Sequence, residues 1–206
     1  MKIITVSREF GSGGRELGRH LSDILGFDYY DREIITAIAR EQGMNESYVE
    51  RTLENASWKS IPLTYRRSFA SAAVQQQPQT KLLLEQKRVI EKIAELDRDF
   101  VIVGRNADLI LADYKPFNIF VCADADSKVL RCMERSSEER KPSRKEIEHN
   151  MRIIDKNRAR TRELLSGSEW GNRVQYGLTV NTSGWQLSEL SVYVAGFAKG
   201  WFGRSQ

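Results

Sequence analysis

The chain has 206 residues, of which 40% are hydrophobic and 29% charged, and a formal net charge of +4. That length suffices for one α/β domain with a proper core, and no apolar run approaches a membrane span, so no membrane-spanning helix is expected. The modest positive charge suits anionic ligands, but it does not choose between nucleotides and nucleic acid. Cys122 and Cys132 have neither CxxC spacing nor a His/Cys cluster around them. They read as free thiols in a reducing cytoplasm, with no disulfide or cysteine metal site expected. A strand begins almost at once, so no signal peptide is expected.

In chain order, the β-branched run 3–6 (Ile-Ile-Thr-Val) reads as a buried strand. Gly11, Ser12, Gly13, Gly14 and Arg15 follow, and then a helical pattern with Leu17, Leu21, Ile24 and Leu25 on one face. Strand, glycine-rich turn and helix form the layout of a phosphate cradle, in which backbone N–H groups and a helix N-terminus converge on an anion. The spacing departs from the G-x-x-x-x-G-K-[ST] loop. With Gly13 on its second glycine, Arg8 stands at the first glycine, Gly14 at the lysine and Arg15 at the serine or threonine. The dinucleotide fingerprint fails too, because it needs glycine where Glu16 stands. The stretch alone is equally compatible with a tight turn that binds nothing.

Further along, 26–31 reads as a turn and a short strand ending on Asp31, and 32–41 returns to helical spacing. Asn45 is a candidate cap for another helix. Region 57–80, with Pro62, Pro78 and three consecutive glutamines, is the least regular. Its Trp58, Tyr65 and Phe69 suit a cleft cover or a subunit contact. An amphipathic helix spans 81–96. The apolar run 100–104 reads as a parallel strand with Arg105 at its carboxyl end, then a short helix over 106–111. Strand 117–121 precedes a helix capped by Asp124 or Asp126. A charged turn at 136–143 leads into a long polar helix, 144–165, one face of which carries Arg152, Asp155, Arg158 and Arg162. A strand at 176–180 and a helix at 186–202 close the chain. Strands alternating with helices predict a doubly wound parallel sheet, and ligands bind such sheets at the carboxyl strand ends. Residues 11–15, Asp31 and Arg105 all follow strands, so the topology gathers them on one edge.

These features resemble the P-loop nucleoside monophosphate kinases, most closely the bacterial cytidylate kinase-like proteins. The resemblance runs through Ile3, Thr5, Val6, Ser7 and Arg8 with the glycine cluster, Tyr30-Asp31, Val101 to Arg105, Asn118 to Phe120, Met133 to Arg135, Asp155 to Arg158 and Tyr176 to Ser183. It implies one α/β domain over 1–206: a five-stranded parallel sheet with helices on both faces, an irregular insert at about 57–80 and a helical lid at about 136–162. It also implies ATP as phosphoryl donor, magnesium, and a nucleoside monophosphate or other small phosphorylated acceptor.

The division of labour follows from the same resemblance. Arg8, Gly11, Ser12, Gly13, Gly14, Arg15 and Glu16 would hold donor phosphates. Asp31, Arg105 and Asn106 would meet the acceptor, with Asp31 also a candidate for the metal. Arg15 and the lid residues Arg140, Arg152 and Arg158, with Asp155 orienting an arginine, would serve transfer. Arginine suits that task because its fork meets two phosphate oxygens at once. The departures are specific: Gly14 replaces the loop lysine, Arg32 replaces a serine that contacts cytosine, and Asn106 and Val103 replace acids. They leave the acceptor base and the handling of magnesium open. A catalytically impaired nucleotide-binding regulator is the alternative. Nucleic acid is disfavoured, because Glu146, Glu148 and Asp155 interrupt the basic helix. Self-association is left open.

Overall fold

The structure, a computed structural model, describes residues 1–31, 79–136 and 142–204. The expected helices at 32–41 and after Asn45, the insert at 57–78 with its three aromatic residues, and the tip of the charged turn with Arg140 lie outside the described residues.

Five strands form an all-parallel sheet: β1 (Ile3–Arg8), β2 (Asp28–Tyr30), β3 (Phe100–Val103), β4 (Phe117–Cys122) and β5 (Leu178–Asn181). Their spatial order is β2-β3-β1-β4-β5, so the N-terminal strand is central. In register, Ile3 faces Phe100 on β3 and Ile4 faces Phe117 on β4. Both sheet faces are covered, which is why the strands read as unbroken apolar runs rather than as alternation.

The described helices are α1 (Gly14–Leu25), α2 (Gln79–Glu95), α3 (Ala107–Ile110), α4 (Ala125–Glu134), α5 (Arg144–Ser166) and α6 (Leu187–Arg204). One face of the sheet carries α1 and α6, which pack on each other. A β-carbon on Gly18 of α1 would come within 2.6 Å of Val103, so that glycine lets α1 lie close on β3. Trp201 of α6 packs on Phe117 of β4, with ring centroids 4.9 Å apart. On the other face Tyr30 meets Phe100 edge-on, and Phe120 packs against Trp170 and Tyr176. The long α5 starts with a capping box in which Ser143 and Glu146 bond reciprocally.

Among the described residues the element order agrees with the sequence expectation, while some ends shift. The last strand starts at Leu178 rather than residue 176, because Tyr176 closes a single 3₁₀ turn, Arg173–Gln175. Asp124, not Asp126, caps α4, accepting from the Ser127 N–H at 2.6 Å.

Candidate functional site

The glycine loop leaves the carboxyl end of β1. Glu9 still donates its N–H to the Val121 carbonyl at 3.0 Å, so the loop begins tied to β4. Ser12 is wholly buried: its hydroxyl donates to the Glu9 carbonyl at 2.8 Å, and its carbonyl accepts from the Thr182 hydroxyl at 2.7 Å. Ser12 therefore braces the loop. Gly13 is the N-cap of α1 at φ 80°, and a β-carbon there would sit 2.5 Å from Leu187 of α6. The first intrahelical bond runs from the Leu17 N–H to the Gly13 carbonyl at 2.9 Å. The N–H groups of Gly14, Arg15 and Glu16 consequently have no acceptor within the helix, and the helix dipole adds positive potential where they emerge.

A pocket opens beside this loop. Five arginines line it, Arg8, Arg15, Arg131, Arg135 and Arg158, against two carboxylates, Glu9 and Asp31. The arginines are not equivalent. Arg15 donates its Nε to Asp31 at 2.7 Å, and the Tyr29 hydroxyl reaches both the Arg15 carbonyl and Asp31. Burial, followed by the charge of Asp31, pushes the Tyr29 phenol well up, so it stays a neutral donor. Arg158 donates to the Arg8 carbonyl and to Asp155, both at 2.9 Å. Asp155 also accepts the Phe10 N–H at 2.8 Å. Burial raises the Asp155 carboxyl pKa, and the Arg158 guanidinium opposes that rise. Asp155 thus ties α5 to the glycine loop and aims Arg158. Arg131 grips Thr182 through its hydroxyl at 2.9 Å and through its carbonyl. Glu9 is held by Lys128 at 2.5 Å.

The pocket brings together Arg8, Gly11, Gly13, Gly14, Arg15, Asp31 and Arg158 of the residues expected from sequence. Arg105 stands at the end of β3, where its charge bears on Arg8, and it donates to Gln86 of α2 at 3.2 Å. Arg105 and Asn106 take left-handed backbone, φ 62° and 51°, a conformation rare for residues with a side chain. Glu16 turns to Arg135 and His20. Arg152 is exposed on α5, bonding the Glu148 carbonyl, and does not line the pocket. The helix face expected to carry Arg152 through Arg162 as one set runs from solvent at Arg152 to full burial at Arg162, where Asp108 and Gln175 receive the guanidinium. Among the described residues Arg15 forms an ion pair with Asp31, between α1 and the end of β2.

Arg131 and Arg135 line the pocket without having been singled out by sequence. Their i,i+4 spacing on α4, which follows a strand end, is the signal that marks them. Chemically, a helix N-terminus and a cation-lined wall at the carboxyl edge of a parallel sheet suit a polyanion such as a chain of phosphates.

The comparisons with known proteins fall in the same direction. The model of the cytidylate kinase-like family matches residues 3–184, and the chain belongs to that family. No curated protein sequence matches it. An uncharacterized protein from Eubacterium ventriosum superposes with a TM-score of 0.70 at 23% identity, over 97% of this chain and 99% of that one. Shikimate kinase from Acinetobacter baumannii, solved with shikimate, gives 0.54 at 12% identity, over 97% and 94%. A Thermus thermophilus protein gives 0.52 at 20% identity, over 96% and 97%. At these identities the likeness is one of fold.

Proposed function

We propose that this cytidylate kinase-like chain is an ATP-dependent phosphotransferase acting on a nucleoside monophosphate or another small phosphorylated acceptor. The observation that carries the reading is the meeting of the N-terminal end of α1 with five arginines in one pocket. Phosphoryl transfer depends on positioning the reactants and neutralising their oxygens, and these groups do both. In this reading the backbone of Gly14, Arg15 and Glu16 holds donor phosphates. Arg158, aimed by Asp155, meets the charge that grows during transfer. Asp31, Arg105 and Asn106 receive the acceptor, and Arg140 and Arg152 come from the lid at about 136–162. The chain works as one domain over 1–206, in the cytoplasm, where ATP is at hand.

Magnesium enters as an ion carried on the donor's phosphates, whose charge it partly neutralises. Among the described residues no cluster of three ligating side chains forms a metal cage. The carboxylates lining the pocket are Glu9 and Asp31, each already bonded to a cation. Such a set fits an ion that keeps most of its shell in water and phosphate.

The second reading is a nucleotide-binding regulator that has lost transfer, and Gly14 in the place of the lysine favours it. One experiment separates the two. ATP binding is measured by calorimetry, and phosphoryl transfer is assayed over a panel of nucleoside monophosphates and small acids, with magnesium or manganese. Transfer to any acceptor establishes the kinase. Binding without transfer to any member of the panel establishes the regulator.

A further inference from the structure

The loop lacks its lysine, yet among the described residues the guanidinium of one pocket arginine, Arg8, makes no hydrogen bond or ion pair. Arg15, Arg131, Arg135 and Arg158 are each bonded to a carboxylate or a carbonyl. The Arg8 guanidinium makes no hydrogen bond and no ion pair among the described residues, while its carbonyl takes the Arg158 bond. Its charged neighbours are chiefly cations. Burial first, then Arg158 and then Arg105, lowers its pKa well below the usual arginine value. An arginine partly buried beside two others, with Tyr29 and Asp31 acting in the opposite sense, is held against its own electrostatics, which suits it to an anionic ligand.

Two glycines make room for it. A β-carbon on Gly14 would lie 2.5 Å from the Arg8 β-carbon. A β-carbon on Gly104 would lie 1.6 Å from the Arg8 Nη1. The first contact is between groups fixed to backbone, so no rotamer relieves it. Positions 8 and 14 therefore cannot both carry a side chain in this loop. In G-x-x-x-x-G-K-[ST] the first glycine falls at position 8 and the lysine at position 14. Here the two are exchanged across a single steric contact: arginine at 8, glycine at 14.

We infer that Arg8 is the phosphate-binding cation of this loop, exchanged for the usual lysine across the contact between positions 8 and 14. This rests on the reading that the loop holds a nucleotide's phosphates. A guanidinium rooted on the last residue of β1 reaches the pocket from the strand side, whereas a lysine at 14 would reach it from the helix side. Gly104 keeps the far end of that path open. The lysine's absence is then no sign of lost binding.

The test uses the full chain and reads ATP and inorganic tripolyphosphate binding by calorimetry, with thermal unfolding beside it. Arg8→Met keeps the volume filled and removes the charge. It should weaken both ligands about 10- to 150-fold, as loss of a charge-assisted contact does. Its melting temperature without ligand should not fall, since like-charge repulsion is relieved. Arg8→Gly should weaken binding as much. Gly14→Lys alone should lower the melting temperature, because two side chains then share one space. Arg8→Gly combined with Gly14→Lys should restore most of the affinity that Arg8→Gly loses. Arg8 variants that bind like the parent, or a folded double variant no tighter than Arg8→Gly, would overturn the exchange. A parent that binds ATP but transfers to nothing overturns the kinase reading and leaves the exchange legible in binding. A parent that binds neither ligand overturns both.

Discussion

Two arginine-centred regions of the same protein differ in how they treat charge. At the base of α5, Arg162 is 2% exposed and saturated: it bonds Asp108 at 2.5 Å, Gln175 at 2.7 Å and Ser168 at 3.1 Å, and lies over the Tyr176 ring. At the mouth of the glycine loop, the Arg8 guanidinium has no such partner among the described residues, while its neighbours Arg158 and Arg131 are anchored to Asp155 and Thr182 at the pocket wall. A closed cation fixes structure, because its hydrogen bonds and its counter-charge are internal. An open one is held ready for a ligand. The contrast shows that residue type and burial do not separate a structural arginine from a binding one; the count of internal partners does.

The largest expected effect lies at the closed end. Arg162→Ala removes the ion-pair partner of buried Asp108, whose Oδ1 already lacks a hydrogen-bond partner among the described residues. Urea unfolding should show a loss of about 3–5 kcal/mol. A loss no greater than that of an ordinary surface change would break the comparison.

At the open end the effect should fall on turnover. Arg158→Ala removes a cation whose anchors are Asp155 and the Arg8 carbonyl. Turnover is expected to fall about 10- to 150-fold, or roughly 1.5–3 kcal/mol, with ATP affinity nearly unchanged. A raised KM with kcat intact would instead make Arg158 a ground-state binder and sharpen the division among the arginines.

Gly13→Ala tests the cradle between them. It puts a side chain at φ 80° and against Leu187, so about 1–3 kcal/mol of stability should be lost, together with phosphate affinity. Retained ATP binding in a folded Gly13→Ala protein would remove the loop backbone from the site.

The smallest expected effect concerns pH. Asp155 has a folded pKa raised above 3.8, chiefly by burial. The folded state therefore holds this proton more tightly than the unfolded state. Its contribution to stability is present below about pH 3.8 and is lost as the pH rises through the folded value. The difference in unfolding free energy between the parent and Asp155→Asn should drift across that acidic window and be flat above it. A flat difference throughout would place Asp155 in an environment as wet as the surface.

The sheet is legible in the sequence because buried parallel strands are short apolar runs between helical periods. Its edges are less so. Tyr176 belongs to the same apolar run as β5, yet its ring is placed by Phe120 and the Arg162 guanidinium in three dimensions. In the site, the glycine cluster and Arg158 announce themselves by position. The pairing of Arg15 with Asp31 crosses from α1 to the end of β2, and the burial of Arg162 depends on Asp108, Gln175 and Tyr176, all distant along the chain or on other elements. Neither leaves a spacing to read. Gly14 shows the limit most clearly: along the chain it is a missing lysine, and only across space is it the room that Arg8 occupies.

That contact also constrains history. A lineage moving between a glycine-lysine pair and an arginine-glycine pair at positions 8 and 14 must pass through one of two single-step intermediates. One has no cation at either position; the other forces two side chains into one volume. Both are handicapped, so the crossing is a valley rather than a slope. Among related chains, the combination of arginine at 8 with lysine at 14 should be empty, and the two populated combinations should form separate branches rather than a gradient.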